Sequence, residues 1–194
     1  VEELDIINRK YTDKSPDDYL PYEPDENLIP AFAKAGDGYH YHSTGLTHDE
    51  KGYPVMSEEC QKRCTKRLVD KIKKNAEDII IVEEHNIEDA DVIVVSYGIS
   101  SRTVFPALDE ARKQGVKVGF LRLVTVWPFP EKRVRELSKQ VKGFVVAELN
   151  LGQVFLEVER CAAKHADTKL VGHPGGGMHD RQEIVSAILE VANE

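Results

Sequence analysis

The sequence predicts an α/β fold, in which a parallel sheet carries helices on both faces, preceded by an extended arm. From residue 79 onwards, short apolar runs alternate with stretches of helical periodicity, which is the pattern of strand–helix–strand units. Before residue 57 neither a period of 2 nor one of 3.6 persists, and five of the nine prolines lie there. Because proline fixes φ and has no N–H to donate, this first stretch is predicted to be extended and irregular.

The arm, residues 1–56, is predicted to pack on another surface. It contains six of the seven tyrosines, which are Tyr11, Tyr19, Tyr22, Tyr39, Tyr41 and Tyr53. An arm that is free in solution rarely carries so many aromatic rings. Tyrosine has an apolar body and a polar tip, which suits it to packing on a surface. That surface is either the arm's own domain or a partner subunit.

Residues 57–78 are predicted to form a connecting helix. Ser57 can cap it, because a serine hydroxyl accepts a hydrogen bond from the N–H groups of a first helical turn. The helix is expected to end near Asn75. Its apolar stripe consists of residues spaced one helical turn apart, which are Cys60, Cys64, Leu68 and Ile72.

Residues 79–194 are predicted to form the α/β domain. Its five strands are expected at residues 79–82, 91–97, 116–121, 144–148 and 169–172. The first, IIIV, is short and β-branched. The second, DVIVVSY, is a continuous apolar run, which is typical of a parallel strand that is buried on both faces.

Four further helices are expected, at residues 103–114, 130–140, 153–165 and 180–191. Thr103 is the predicted cap of the first, because a cap at Ser101 would place Pro106 beyond the first turn, where proline breaks a hydrogen bond. The second begins with a proline, whose fixed φ suits that position. Asp180 and Glu183 have the spacing of a capping box for the last.

The charge balance argues against nucleic acid as a partner. Lys and Arg number 26 against 34 Asp and Glu, a net charge of −8, whereas phosphate neutralisation needs clustered cations. The one basic stretch, residues 62–74, is interleaved with apolar residues, as on a solvated helix face. No apolar run approaches the roughly 20 residues that cross a bilayer, so no membrane contact is expected.

The cysteines indicate reduced thiols and a cytoplasmic location. Cys60, Cys64 and Cys161 form no disulfide framework, and no second pair at zinc-site spacing accompanies them. The first ten residues, VEELDIINRK, are too polar for a signal peptide. Disulfides persist mainly in secreted proteins, so free thiols without a secretion signal favour the cytoplasm.

Candidate binding residues lie where parallel strands end, because ligands of open α/β sheets bind at the carboxyl ends of strands. In the first such loop Gly98 permits a tight turn. If Thr103 caps the helix, Ser100, Ser101 and Arg102 remain free in the loop, where they can receive an anion. The alternative is an ordinary connection with a surface arginine. The loop does not match G-x-G-x-x-G, so no dinucleotide site is predicted.

The loops after the last two strands offer two more candidates. Asn150 and Gln153 can make paired hydrogen bonds to a ligand, with Gly152 opening the next helix. Alternatively, Asn150 is simply a helix cap or turn former. The glycine-rich loop at residues 172–177 fits a mobile turn better than a phosphate site.

The arm also carries a group of histidines, His40, His42 and His48, close to Asp49 and Glu50. Their spacing matches no H-E-x-x-H pattern, so a metal is not expected. No nucleophile elbow, catalytic triad order or P-loop is present, and no catalytic residue is predicted.

Several segments resemble alpha subunits of 2-oxoacid:ferredoxin oxidoreductases, with the 2-oxoglutarate type as the closest likeness. They are YLPY at 19–22, GYHYHSTGLTHDEKGYP at 38–54, KRLVDKI at 66–72, EDADVIVVSYG at 88–98, LR at 121–122, TVWPFP at 125–130, ELNLGQ at 148–153 and EVER at 157–160. The resemblance runs along nearly the whole chain, and TGLTHDE followed at this distance by WPFP is fairly specific.

The resemblance implies a domain similar to the C-terminal domain of transketolase. That domain has three layers, α/β/α, around a mostly parallel five-stranded sheet whose first strand is antiparallel. Residues 79–82 would be that strand, and the arm would be an interdomain linker. In the family, thiamine diphosphate lies between a pyrimidine-binding domain of the alpha subunit and a beta subunit.

The implied complex decarboxylates a 2-oxoacid oxidatively and forms an acyl-CoA. It is expected to use thiamine diphosphate, Mg²⁺, iron–sulfur clusters and coenzyme A, with ferredoxin as electron acceptor. The pyrimidine-binding domain and iron–sulfur cysteine spacing are missing from this sequence. The chain alone is therefore expected to bind none of these cofactors and to catalyse nothing.

The expected roles are contact with the beta subunit, dimerisation, and shaping the approach of substrate or coenzyme A. The residues assigned to this work lie in two loops, with Thr44, Gly45, His48 and Asp49 in the arm and residues 98–102 in the domain. Two other interpretations are a non-catalytic assembly domain and a stand-alone flavodoxin-like binding module. The absent glycine-rich fingerprint and the tyrosine arm weigh against the binding module.

Overall fold

The computed structural model describes residues 8–193, which divide into two compact units with the boundary between Glu77 and Asp78. The first seven residues of the predicted arm, and with them most of the polar N-terminal stretch, lie outside the described residues. The finer division into an arm, a connecting helix and a domain that starts at residue 79 stays a prediction.

The first unit contains one long helix, α1, Glu58–Lys74. Its predicted start is confirmed, because the Ser57 hydroxyl accepts a hydrogen bond from the Cys60 N–H at 3.2 Å. The rest of the unit is held by turns and by isolated bridges, such as the one between Tyr11 and Phe32. Among the described hydrophobic residues of this unit, only Cys60 is buried.

The second unit alternates strands and helices. The strands are β1 Val82–His85, β2 Val92–Tyr97, β3 Val118–Leu123, β4 Gly143–Glu148 and β5 Asp167–Gly172. The helices that accompany them are α3 Ser101–Lys113, α4 Glu131–Leu137, α5 Gln153–Ala162 and α6 Arg181–Asn193, while the short α2, Ala76–Ile79, spans the unit boundary. Helices α4 and α5 end three residues earlier than the sequence predicts. None of the helices within residues 8–193 has the length and apolar character that a membrane crossing requires.

The five strands form one sheet in the order β1-β3-β2-β4-β5. Strand β1 pairs antiparallel with β3, and every other pair is parallel. Successive residues of a strand face opposite sides, so Val92 and Val94 pack with α3 and α6 while Ile93 and Val95 pack with α4 and α5. The predicted fold class, three α/β/α layers with an antiparallel first strand, is confirmed.

The predicted position of the first strand is wrong. Ile79 ends a short helix, and β1 begins only at Val82. Two of the strand's four residues are glutamates, and each pairs with an arginine far along the chain. Glu83 bonds to Arg122 at 2.7 Å, and Glu84 bonds to Arg133 at 2.6 Å. These arginines stabilise an edge strand that has no apolar pattern of its own. Hydrophobicity alone therefore pointed to the preceding apolar run, residues 79–82.

The predicted start of α3 is also wrong. A 3₁₀ turn, Gly98–Ser100, leads directly into a helix that begins at Ser101, so Thr103 lies within it. Pro106 lies inside the helix, where it removes only the N–H that would bond to the carbonyl of Arg102. The remaining bonds and the buried apolar face of the helix outweigh that single loss.

The capping box predicted for α6 is only half formed. The Asp180 carboxylate accepts a hydrogen bond from the Gln182 N–H at 2.9 Å, as a cap should. The Glu183 carboxylate instead lies 3.2 Å from His173 Nε2. A donor outside the helix, the His173 imidazole, has therefore taken the place of the reciprocal bond.

Candidate functional site

The topology places a switch point between β2 and β4. The connection from β2 leads to β3 on one side of the sheet, and the connection from β4 leads to β5 on the other. Helices α3 and α5, which follow these strands, pack on opposite faces. The crevice between two such strand ends is where α/β proteins bind ligands, and here it is flanked by the loops that begin at Gly98 and Leu149. Two of the predicted candidate loops therefore meet.

Side chains of the chain itself fill this crevice. The Asn150 amide donates a hydrogen bond to the Tyr97 hydroxyl at 2.9 Å, and that hydroxyl donates to the Glu148 carboxylate at 3.3 Å. The other end of the Asn150 amide accepts bonds from the N–H groups of Gly152 and Gln153, at 2.8 and 2.9 Å. Both ends of Asn150 are thus bonded within the chain, in the turn-forming arrangement that the sequence left open.

Glu148 is the residue of this network that sequence reasoning missed. Its side chain is fully buried, and its two oxygens accept hydrogen bonds from the N–H groups of Val154 and Phe155, at 3.0 and 2.9 Å. These donors belong to the first turn of α5, whose positive dipole end favours a carboxylate. The cap position of that helix is Gly152, which has no side chain, and Glu148 supplies the missing acceptor. An acidic residue that closes a buried strand shortly before an uncapped helix is the signal that could have identified it.

Burial raises the pKa of the Tyr97 phenol, and the negative charge of Glu148 raises it further. The phenol therefore stays protonated and keeps its role as donor to the carboxylate. The cluster is neutral apart from one carboxylate, which backbone donors and the helix dipole stabilise.

The loop after β2 does not present the predicted receptor for an anion. Ser100 and Ser101 are buried, not free in the loop, and the Ser101 hydroxyl has no hydrogen-bond partner among the described residues. Arg102 is exposed and forms no hydrogen bond or ion pair within residues 8–193. Gly98 has a φ of 56° and open space beside its Cα. Only Gly98 and Arg102 of this group therefore face outward.

The glycine-rich loop after β5 is a turn, with φ of 91° at Gly175 and 80° at Gly176. Beside it lies a buried histidine, His179, which is only 4% exposed. Neither of its ring nitrogens has a hydrogen-bond partner among the described residues. Burial and the neighbouring His173 lower the pKa of His179, while Glu183 raises it by a smaller amount. This imidazole is therefore neutral near pH 7.

The remaining candidates lie in the first unit. The Thr44 hydroxyl accepts a bond from the Leu46 N–H at 3.1 Å, and Gly45 has open space around it. Asp49 forms a turn, in which one carboxylate oxygen accepts bonds from the N–H groups of Lys51 and Tyr53. In the part of the chain that the structure describes, no three potential ligands are close enough together to hold a metal ion.

Comparison with known proteins identifies the family to which this chain is related. Residues 90–184 match the family described as pyruvate:ferredoxin oxidoreductase core domain II. The 2-oxoglutarate synthase subunit KorA of Methanocaldococcus jannaschii is 43% identical over 97% of this chain and 50% of the relative. The same subunit of Methanothermobacter thermautotrophicus is 41% identical over 98% of this chain and 51% of the relative.

A solved structure supports the fold. The 2-oxoglutarate:ferredoxin oxidoreductase from Magnetococcus marinus, with 2-oxoglutarate, coenzyme A and succinyl-CoA bound, aligns with 97% of this chain and 33% of its own. The TM-score is 0.81 and the sequence identity 24%. A split-gene transketolase aligns over 55% of the chain at a TM-score of 0.49, which is too low to establish a shared fold. The specific likeness to transketolase therefore stays a prediction.

These matches identify the class of protein to which this α/β/α domain belongs. The chain belongs to the family of 2-oxoacid:ferredoxin oxidoreductase alpha subunits, as the sequence resemblance indicated. It spans about half the length of the curated relatives that it matches.

Proposed function

We propose that the chain is a domain of the alpha subunit of a 2-oxoglutarate:ferredoxin oxidoreductase, and that it supports assembly and takes no part in the reaction itself. The observation that carries the first part is the match to two subunits named 2-oxoglutarate synthase subunit KorA, at 43% and 41% identity over nearly the whole chain. The second part is supported by the closed crevice at the switch point.

The described residues do not fit thiamine diphosphate. Tyr97, Asn150 and Glu148 bond to one another where a ligand would otherwise enter. In this proposal other parts of the complex hold thiamine diphosphate, Mg²⁺ and the iron–sulfur cluster. The beta subunit is the direct partner, ferredoxin accepts the electrons, the subunit dimerises, and the complex works in the cytoplasm.

Reconstitution tests this proposal. The chain would be co-expressed with a beta subunit and with the part of the Methanocaldococcus jannaschii relative that it does not cover. We expect 2-oxoglutarate- and coenzyme A-dependent reduction of ferredoxin only when all parts are present, and co-purification of the chain with them. Activity of the chain alone, or failure to co-purify with any of the parts, would contradict the proposal.

A second role, shaping the approach of coenzyme A, is favoured by one specific observation. Arg102 is an exposed cation with no partner among the described residues, beside the open backbone at Gly98. The similar Magnetococcus marinus structure has coenzyme A bound. We propose the loop Gly98–Arg102 of the second unit as a surface that coenzyme A passes, and, as a separate candidate, the loop Thr44–Asp49 of the first unit.

Calorimetric titration separates these roles. If the domain handles coenzyme A, we expect a saturable heat of binding. The affinity for coenzyme A should fall about tenfold in Arg102→Ala and should be unchanged in Lys164→Ala. Lys164 is an exposed cation after α5 and serves as the matched control. No heat would leave assembly as the sole role. Tight binding of thiamine diphosphate would overturn the statement that the described residues do not fit it.

A further inference from the structure

The first unit contains a half-enclosed cavity of about 190 Å³. Two rings, two thiols and two arginine side chains form most of its wall, and they belong to Tyr22, His48, Cys60, Cys64, Arg63 and Arg67. Most of the lining surface is apolar. This volume is somewhat larger than a cavity of about 150 Å³ that binds benzene, so it accommodates one ring or a short branched chain.

Several contacts hold the cavity wall in place. The Tyr22 N–H donates to the carbonyl of Glu50 at 3.1 Å, and the Cys60 thiol donates to the carbonyl of His48 at 3.3 Å. The rings of Tyr22 and His48 pack with their centroids 3.9 Å apart. Gly52 closes the adjoining turn with a φ of 88°, a conformation that favours glycine. The cavity is thus a defined feature of the unit.

The charges at the cavity leave one cation without a counterion. Arg63 bonds to the Glu50 carboxylate at 3.1 Å, so these two charges offset each other. One oxygen of Asp49 already accepts two backbone N–H groups. The half-buried Arg67 makes only a 3.4 Å bond to the carbonyl of Leu28, and no described carboxylate lies within ion-pair distance of it. A guanidinium carries five donors, most of which remain free here.

We propose that this cavity binds a small organic acid that carries a single carboxylate on an apolar body. Arg67 would pair with the carboxylate, for which its planar donors are suited, while Tyr22, His48 and the thiol groups pack against the apolar part. Asp49 lies in the same wall without a cationic partner among the described residues, and it repels a second negative charge, which disfavours phosphate and dicarboxylates. The size of the cavity favours a free small acid over a peptide.

The site lies wholly within the first unit and does not rest on the proposed function. All its residues fall between Tyr22 and Arg67, whereas the switch point is in the second unit. Failure of one proposal therefore leaves the other unchanged. Two of the sequence candidates, His48 and Asp49, lie in this cavity wall.

The first test titrates the full chain with benzoate, followed by calorimetry and by amide chemical shifts. The matched probes are benzamide, which has the same shape without charge, and inorganic phosphate. We expect saturable benzoate binding, with shifts confined to the residues around the cavity. Benzamide and phosphate should each bind at least tenfold more weakly, since one lacks the charge and the other the apolar body. Equal binding of benzamide or of phosphate, or no benzoate binding, would overturn the proposal.

Variants make the test specific. Arg67→Gln should weaken benzoate binding at least tenfold, and Cys64→Phe should abolish it by filling the cavity. Lys164→Gln removes an exposed cation in the second unit and should leave benzoate binding unchanged. Near-ultraviolet circular dichroism of the tyrosines would verify that each variant is folded. If a variant unfolds, the comparison of benzoate with benzamide on the unaltered chain still decides. Two outcomes would refute the small-acid site. One is unaltered benzoate binding by a folded Arg67→Gln variant. The other is binding of an apolar peptide with a free C-terminal carboxylate at least tenfold tighter than that of benzoate.

Discussion

The two units of this chain are stabilised by different kinds of interaction. The second unit buries apolar residues on both faces of a sheet, and fully buried side chains such as Phe120 and Phe144 fill its layers. The first unit buries only Cys60 among its described hydrophobic residues, and Tyr41 is 51% exposed. Its structure depends instead on turns, on a helix cap and on edge-to-face tyrosine pairs, such as Tyr19 with Tyr41.

The difference teaches that an aromatic-rich segment need not form a core. Tyrosines of the first unit use their hydroxyls as well as their rings: Tyr19 donates to the carbonyl of Ala31, and Tyr39 to that of Lys14. Each such net contribution is about 1 kcal/mol, whereas a fully buried apolar side chain contributes about 1.5–3 kcal/mol. The first unit should therefore be the less stable of the two. The chain has natural probes for both, because its only tryptophan, Trp127, lies in the second unit and six of seven tyrosines lie in the first.

The largest effect is expected for Phe144→Ala, which should destabilise the second unit by about 3–5 kcal/mol, because Phe144 is fully buried. Tyr41→Ala should cost about 1 kcal/mol or less, because its ring pair is half exposed. Urea unfolding followed by Trp127 fluorescence and by tyrosine circular dichroism measures both. Similar losses for the two variants would mean that the units do not differ in their packing.

Gly52→Ala should destabilise the first unit by more than about 2 kcal/mol, because a Cβ there would lie 2.0 Å from the His42 carbonyl oxygen and φ is 88°. Gly45→Ala is the control, since Gly45 has open space and no positive φ. The midpoint of urea unfolding that tyrosine circular dichroism reports should shift to a lower urea concentration for Gly52→Ala only. An unchanged midpoint for Gly52→Ala would show that backbone strain does not limit this unit.

Glu148→Gln should destabilise the second unit by about 1–3 kcal/mol, because the amide presents only one acceptor oxygen to two N–H donors at a helix dipole. Exchange of the Val154 and Phe155 amide hydrogens should accelerate more than that of amides in β2. Glu159→Gln, an exposed change on the same helix, is the control. Equal exchange in the two variants would contradict the capping role of Glu148.

The smallest effect concerns pH. The pKa of His179 is lowered from 6.5 in the folded chain, so the unfolded chain binds this proton more readily. Its contribution to stability is fully present above pH 6.5 and is lost as the pH falls below that value, at a slope of less than about 1.4 kcal/mol per pH unit. His179→Gln should flatten the stability of the second unit between pH 6.5 and 5, and His165→Gln, an exposed change, should not. Identical pH profiles for the two variants would remove His179 as the cause.

The strands and helices that the sequence predicts well are those with an apolar period of their own. The run DVIVVSY, the Ser57 cap and the helix near residue 181 are local signals, and all three are present in the structure. Strand β1 was misplaced because its stability comes from Arg122 and Arg133, which are far away in sequence. Likewise, Asn150 could be read as a ligand residue or as a turn former until the position of Tyr97 was known.

The switch-point network also has a consequence for protein design. In most open α/β sheets a functional site at this place must be built from both strand ends, but here a carboxylate is already positioned beneath two backbone donors. Truncating Tyr97 and Asn150 would uncover it and leave its own bonds from the Val154 and Phe155 N–H groups in place. The domain is therefore a ready scaffold for an engineered acid–base centre, whose starting cost is the loss of four hydrogen bonds, one of them to the Glu148 carboxylate.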